Sequence, residues 1–351
     1  MEKIGDYLLL KKIAIGGMAE VYLAKNTLRA DIEKFFAVKC LLPKYLCEKE
    51  YIELFTNEAR VQVNMNHGNV VSIYDFGVRN LKFYIVMEYV NGATLHNLFR
   101  KSLQAEHALT ISEIIYIIKE SAQGLEHAHS CTNLQTGDPV EIIHGDISPD
   151  NIMLTVGGEV KIIDFGVSKF VGVERNLTAG KQKYMSLSQF EGKELTFKSD
   201  IYSLGRTFLE LIRASMKYEN FLSKDNHTDD LNELKNVLNS DVFRFLERML
   251  IQESSDSFES MEEVVKELSL FLNTKYPGFN KKNLGKKLQK YSDKEFLEEH
   301  LEDITETTVE AFPEINSNLH ADEKKRERSA GATVRKKKIR RRRRTVRKKA
   351  S

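Results

Sequence analysis

The stretch His144-Gly145-Asp146-Ile147-Ser148-Pro149-Asp150-Asn151, followed thirteen residues later by Asp164-Phe165-Gly166, is the most informative part of this 351-residue chain. A carboxylate at Asp146 and an amide at Asn151 share one polar loop. Short β-rich runs at Ile142-Ile143, Ile152 to Leu154 and Val160 to Ile163 surround it. Either motif alone would be an Asx turn or a chance match. Both together, in this order and flanked by strand-like segments, are hard to assign to chance.

Upstream, the first ninety or so residues read as short strands. Tyr7 to Ile13 and Val21 to Leu28 flank a glycine turn, and Phe35 to Leu42 is a third strand. A helical stretch from Glu48 to Met65 precedes further strands at Val70 to Phe76 and Phe83 to Tyr89. After Asn91-Gly92 apolar residues recur at helical spacing in Ile111 to His129, Ile201 to Arg213, Leu231 to Leu250 and Met261 to Leu272. The fold class expected is α+β with two lobes, a small β-rich N-lobe over about 1–90 and a larger helical C-lobe over about 91–272. Polar loops at the centre suggest a cleft between them. Lys281 to Tyr291 and Lys294 to Ile304 read as amphipathic helices in an extension over 273–304, and 305–351 as a disordered linker and basic tail.

Four further motifs extend the pattern. Ala14-Ile15-Gly16-Gly17-Met18-Ala19-Glu20-Val21 joins two strands with small residues that let the backbone close over a ligand. By itself it would be an ordinary hairpin turn. Phe36-Ala37-Val38-Lys39 ends a strand with a lysine, and Glu58 on the next helix is the candidate carboxylate to fix it. Met87-Glu88-Tyr89-Val90 closes the last strand of the small lobe. Ser199-Asp200-Ile201-Tyr202-Ser203-Leu204-Gly205 opens a helix with an aspartate.

With these six motifs in order from about Tyr7 to Leu272, the chain resembles a bacterial Hanks-type serine/threonine protein kinase. The resemblance implies transfer of the γ-phosphoryl group of ATP to protein hydroxyls, chemistry that asks for positioning and charge more than covalent participation. It implies Asp146 as catalytic base, Lys39 and Glu58 positioning the ATP phosphates, and Asn151 and Asp164 binding Mg2+. Asp200 would brace the catalytic loop. Ile13, Ala14, Gly16, Gly17 and Val21 would cover the nucleotide. The backbone at Glu88 and Val90 would pair with adenine, between Val21, Ala37 and Met153.

The pattern is broken at particular places. Gly145 stands where most regulated kinases have an arginine that pairs with a phosphorylated loop, so either activity independent of a phosphate at Thr178 or control by another route is expected. Ser148 replaces the usual lysine of the catalytic loop. Lys181 follows Gly180, where threonine is common, and either supplies the missing positive charge or is a solvated loop lysine. Ser186-Leu187-Ser188 replaces Ala-Pro-Glu, and Ser257 replaces the arginine that would pair with that glutamate. Losing both members of a buried ion pair can be nearly neutral where losing one is costly. These departures keep alternatives open: a pseudokinase scaffold that binds ATP, a small-molecule kinase, or a protein whose main business is binding polyanions.

Composition fits a globular enzyme with a sizeable core, 41% hydrophobic and 30% charged. Cys40, Cys47 and Cys131 are too few for a disulfide framework or zinc site, and no run is apolar enough to span a membrane. A cytoplasmic location is expected. Twelve Lys or Arg and no acid fall between Arg335 and Lys349, so with a chain total of +2 the remainder carries −10. That basic run lacks aromatic residues for base stacking. It would either attract nucleic acid, anionic lipid or an acidic protein without reading sequence, fold back on the acidic body, or serve only as a solubilising tail.

Overall fold

Side-chain alternation along β4 (Phe35–Leu41) organises the small lobe. Val38 and Cys40 face one side, while Lys39 and Leu41 face the other. The first face packs with Ile4, Leu9, Ala24, Tyr84 and Val86. The second lies under α1 (Lys49–Gln62), whose Phe55 and Ala59 meet Ala19, Leu41, Ile73 and Ile85. The computed structural model describes residues 2–28, 34–102, 109–132, 137–138, 140–165, 181–216, 227–251 and 254–289, within one compact unit, Met1–Ser292. Gly166, Thr178, Gly180, Tyr291 and everything from 290 onward, the linker and basic tail included, lie outside the described residues.

The sheet of this lobe adds β1 (Glu2–Ile4), β2 (Tyr7–Ile15), β3 (Ala19–Asn26), β5 (Ile73–Arg79) and β6 (Lys82–Glu88) in the order β1-β2-β3-β4-β6-β5, all antiparallel. The expected strands form within one or two residues at most ends. The one proposed to begin at Val70 begins at Ile73 instead. Val70 makes only an isolated bridge to Ile162, because its neighbours Asn69 and Val71 exchange hydrogen bonds with Ile162 of the large lobe.

The large lobe starts with β7 (Gly92–Thr94) and α2 (Leu95–Ser102), neither anticipated from the sequence. Both are short, and β7 gains its partners only from the later β8 (Ile152–Thr155), itself paired with β9 (Val160–Ile162). Helix α3 (Ile111–His129) spans the range expected. Its start is set by a capping box in which Thr110 Oγ1 accepts from Glu113 N and Glu113 accepts from Thr110 N. Ile114, Ile115, Ile117, Ile118 and Leu125 bury its apolar side. After the four-residue α4 (Leu187–Phe190), α5 (Phe197–Ser215) begins four residues earlier than Ile201, behind the Thr196 cap.

The continuous helix expected from Leu231 to Leu250 is two pieces, α6 (His227–Asn232) and α7 (Ser240–Leu250). Leu231, Leu234 and Leu238 are all buried, but the last two lie on turns whose spacing imitates a helix. Asn239 then caps the new start, accepting from Asp241 N. Ile142-Ile143 does not form a strand, since Ile142 N bonds to Ala128 O and His144 N to Asp200. Helix α8 (Met261–Lys275) extends the expected Met261 to Leu272. Helix α9 (Lys281–Gln289) docks through buried Leu284 and Leu288, with Lys287 2.8 Å from Glu113.

Candidate active site

Three charged side chains from three elements meet where the lobes join. Lys39 Nζ lies 2.6 Å from Glu58 Oε1 on α1 and 2.8 Å from Asp164 Oδ1 beyond β9. Lys39 is 9% and Glu58 4% exposed, whereas the Asp164 side chain is 40% exposed and open to a ligand. Burial opposes the charge on Lys39, but the carboxylates of Asp164 and Glu58 win and hold its pKa above the ordinary value. Burial also pushes Asp164 up. Lys39 outweighs it, aided by His144 and Lys181, and keeps this carboxyl below the usual range. Asp164 adopts φ +63°, a left-handed conformation sparsely used outside glycine, and the next residue, Phe165, is fully buried against His144.

The second group stands on the loop from His144 to Asn151. Asn151 Nδ2 donates to the Asp146 carbonyl at 2.7 Å and to Asp146 Oδ2 at 2.9 Å. Those bonds use the amide nitrogen and leave the amide carbonyl outside them. His144 Nδ1 accepts from Asp146 N, and Nε2 lies 3.0 Å from Ile163 O. Asp200, fully buried at the start of α5, accepts from His144 N and Gly145 N, both at 2.8 Å, and pairs with His129 Nε2. Asp200 thereby fixes the loop backbone as expected. Asp164 and the Asn151 carbonyl make a hard-oxygen donor set of the kind that holds magnesium jointly with phosphate. Among the described residues no group of three or more His, Cys, Asp or Glu could hold a metal alone, so phosphate oxygens would have to complete the shell.

The other sequence-selected positions lie on the strands above and below. Gly16 N donates to Ala19 O, closing the turn between β2 and β3. Register aligns Ala14 with Val21 and Val21 with Lys39, while Ala37 lies opposite Leu23 and Met87. Cross-strand partners share a face, so Ala14 and Val21 lie over the same face as Lys39. Ile13 sits at a register shift and is 36% exposed; Gly17 is at the turn tip. Glu88 gives its N–H to Ser72 O and its carboxylate to Lys161 at 2.8 Å, neither of which uses its carbonyl. Val90 is buried at the end of this segment, and Met153 lies on β8 two residues after Asn151.

The departures have definite surroundings. Lys181 Nζ is 2.5 Å from Asp146 Oδ2, so it is not a solvated lysine. Ser148 is buried, and its hydroxyl has no hydrogen-bond partner among the described residues. Ser186 caps α4 through Gln189 N, and Ser257 accepts from Lys198 Nζ at 3.2 Å.

The sequence family described as the protein kinase domain matches residues 7–316. The chain belongs to the protein kinase family. It is 31% identical over 300 residues to the tyrosine-protein kinase MasK of Myxococcus xanthus, covering 81% of this chain and 46% of MasK. It is 34% identical over 219 residues to the serine/threonine-protein kinase PrkC of Bacillus subtilis, covering 61% of this chain and 31% of PrkC. The chain thus spans less than half the length of these relatives. In fold it matches the crystal structure of the Mycobacterium tuberculosis PknI kinase domain, with a TM-score of 0.54 at 21% identity over 76% of this chain and 95% of that one.

Within this kinase domain, Lys39, Glu58 and Asp164 form one cluster, and Asp146, Asn151 and Lys181 form another. Sequence reasoning missed the platform beneath them. Lys183 pairs with Glu210 at 2.7 Å, Tyr184 bonds to the same carboxylate, and Arg206 Nε donates to Lys183 O. Burial and the Glu210 charge push the Tyr184 phenol well up, keeping it protonated as a donor. The available signal was Asp200, Ser203, Arg206 and Glu210 recurring at helical spacing.

Proposed function

We propose that this kinase domain transfers the γ-phosphoryl group of ATP to serine or threonine hydroxyls of proteins. The observation that carries the reading is the Lys39–Glu58–Asp164 contact across the lobe junction, made beside the Asp146–Asn151 pair. Lys39, steadied by Glu58, grips the α- and β-phosphates. Asn151 and Asp164 would hold magnesium, whose charge when bound neutralises the β- and γ-phosphate oxygens. Asp146 orients the acceptor hydroxyl and takes its proton as the new P–O bond forms and the bond to ADP breaks. The Ile13, Ala14, Gly16, Gly17 and Val21 segment covers the nucleotide, the Glu88 carbonyl and Val90 N–H pair with adenine, and Ala37 and Met153 line its faces. The basic run at 335–349 adds affinity for polyanions, and the protein works in the cytoplasm. Among the described residues no helix is long and apolar enough to cross a membrane.

The test uses the full chain with labelled ATP, magnesium and myelin basic protein, beside Asp146→Asn, followed by phosphoamino-acid analysis. Phosphoserine or phosphothreonine that falls at least about a hundredfold in the variant is the expected result. Transfer that persists in Asp146→Asn would sink the assignment. ATP binding with no transfer to this acceptor or to the chain itself would favour the pseudokinase, and phosphotyrosine would change the acceptor class.

A further inference from the structure

Among the described residues one cation touches the proposed base, and it comes from outside the loop that carries that base. Lys181 Nζ lies 2.5 Å from Asp146 Oδ2, with the lysine side chain 29% and the aspartate 18% exposed. Lys39 is already divided between Glu58 and Asp164. Ser148, two residues after Asp146, is 1% exposed and brings no charge. Asn151 and Lys181 both bind Oδ2 of Asp146, so Oδ1 is the oxygen left to meet a hydroxyl.

The placement of Lys181 is also rigid. It opens the 3-10 turn Lys181–Tyr184, which hangs on α5 through Ser203 Oγ to Tyr184 O, Arg206 Nε to Lys183 O and the Lys183–Glu210 pair. The same helix holds the backbone of His144 and Gly145 through Asp200. Both ends of the Lys181–Asp146 contact are therefore set by one buried element. An ammonium held there puts positive charge beside the anionic base, on the side from which the acceptor hydroxyl meets the phosphoryl group.

We propose that Lys181 is a catalytic residue that contacts the transferring phosphoryl group, supplying from the 181–184 turn the positive charge that Ser148 cannot. This rests on the phosphotransfer reading above. Before nucleotide binds, the ammonium holds the Asp146 carboxylate. With ATP bound it bridges Asp146 and a non-bridging γ-phosphate oxygen, and it keeps its proton throughout. The acceptor oxygen bonds to Pγ and gives its proton to Asp146 while the Pγ–O bond to ADP breaks, and ADP leaves.

The experiment compares full-length wild type, Lys181→Met and Lys181→Arg, with melting temperature as the folding control. Displacement of a fluorescent ADP analogue, in magnesium, gives affinities for ADP and for the non-hydrolysable triphosphate AMP-PNP. Lys181→Met should weaken AMP-PNP about tenfold or more, the worth of one charge-assisted hydrogen bond, and leave ADP within about twofold. Turnover on myelin basic protein should drop about 10²–10³-fold, with Lys181→Arg recovering part of both losses. An unchanged AMP-PNP to ADP ratio in Lys181→Met overturns the proposal even if turnover falls, because Lys181 would then only position Asp146. If the ratio falls but wild type transfers nothing, the contact stands and the phosphotransfer reading fails. Should Lys181→Met not fold, Lys181→Thr carries the same expectations.

Discussion

Replacing Lys39 with methionine keeps most of the side-chain bulk and removes the charge that Glu58 is built around. Asp164, with its side chain 40% exposed, can turn to water; Glu58, at 4%, cannot. Deleting one partner of a buried ion pair costs about 3–5 kcal/mol. At about 2–4 °C per kcal/mol for a domain near this size, the melting temperature should fall by about 6–20 °C. The loss also acquires a pH dependence of known sign. Burial holds the Glu58 pKa above its ordinary 4.5 against the pull of Lys39, and removing that pull lifts it further. A carboxyl that binds protons more tightly folded than unfolded stabilises the fold at low pH, and this contribution is lost as pH rises from 4.5 through the folded pKa. The deficit of Lys39→Met relative to wild type should therefore widen from pH 5 to pH 8. Lys39→Met/Glu58→Gln, with no charge to bury, should recover more than half of the loss and show no such trend. Thermal melts of nucleotide-free protein across that range decide the matter. A single variant within 2 °C of wild type at pH 8, or a double variant no better than the single, would refute the reasoning.

Three further outcomes follow from contacts elsewhere. Asp200→Ala strips the acceptor from two buried backbone N–H groups at about 1–3 kcal/mol each, so melting should fall by several degrees with loss of transfer, as read by melts and the kinase assay. In Gly285→Val the added Cβ would lie 2.7 Å from Val156 O and 2.8 Å from Gly157 C, backbone atoms that cannot step aside. Helix α9 should lift and become cleavable by protease, while ADP still binds. Deleting residues 335–351 should abolish retention on heparin at moderate salt and leave melting unchanged, a result checked by salt-gradient elution.

The strands, α3 and the paired loops were legible because local chemistry there agrees with the global fold. Lys39, Glu58, Asp146, Asn151, Asp164 and Asp200 could be singled out because the kinase pattern sets polar residues at fixed spacings along loops and strand ends, and the fold brings the first, second and fifth of them into contact. What was missed depends on partners distant in sequence. Strand β7 exists only by pairing with β8, about sixty residues away, and the Leu231 to Leu250 pattern was apolar at helical spacing without being one helix. Glu210 carries no motif, and its meaning appears only when Lys183 and Tyr184 fold against it. Lys181 was visible as an oddity, but a loop lysine in sequence has no address until its distance to Asp146 is known.

The departures at Gly145, Ser148 and Ser186-Leu187-Ser188 make sense together once α5 is seen as the common support. Asp200, Ser203, Arg206 and Glu210 repeat every three to four residues, which places them along one side of that helix. Its first member binds the catalytic loop and the other three bind the Lys181–Tyr184 turn. With the turn held upstream, a glutamate at 188 and an arginine at 257 are not needed to fasten it, and Lys198 instead meets Ser257. Gln189 Nε2 donates to Gly145 O at 2.6 Å, which ties α4 back to the catalytic loop. Gly145 itself has φ +68°, and a Cβ there would lie 2.7 Å from Leu195 Cδ1, so glycine suits the backbone this loop adopts. Erosion of a site would leave charges stranded one at a time. Here the charges missing at 188 and 257 are absent together, and the turn that brings Lys181 to Asp146 is held by α5 without an arginine at 145.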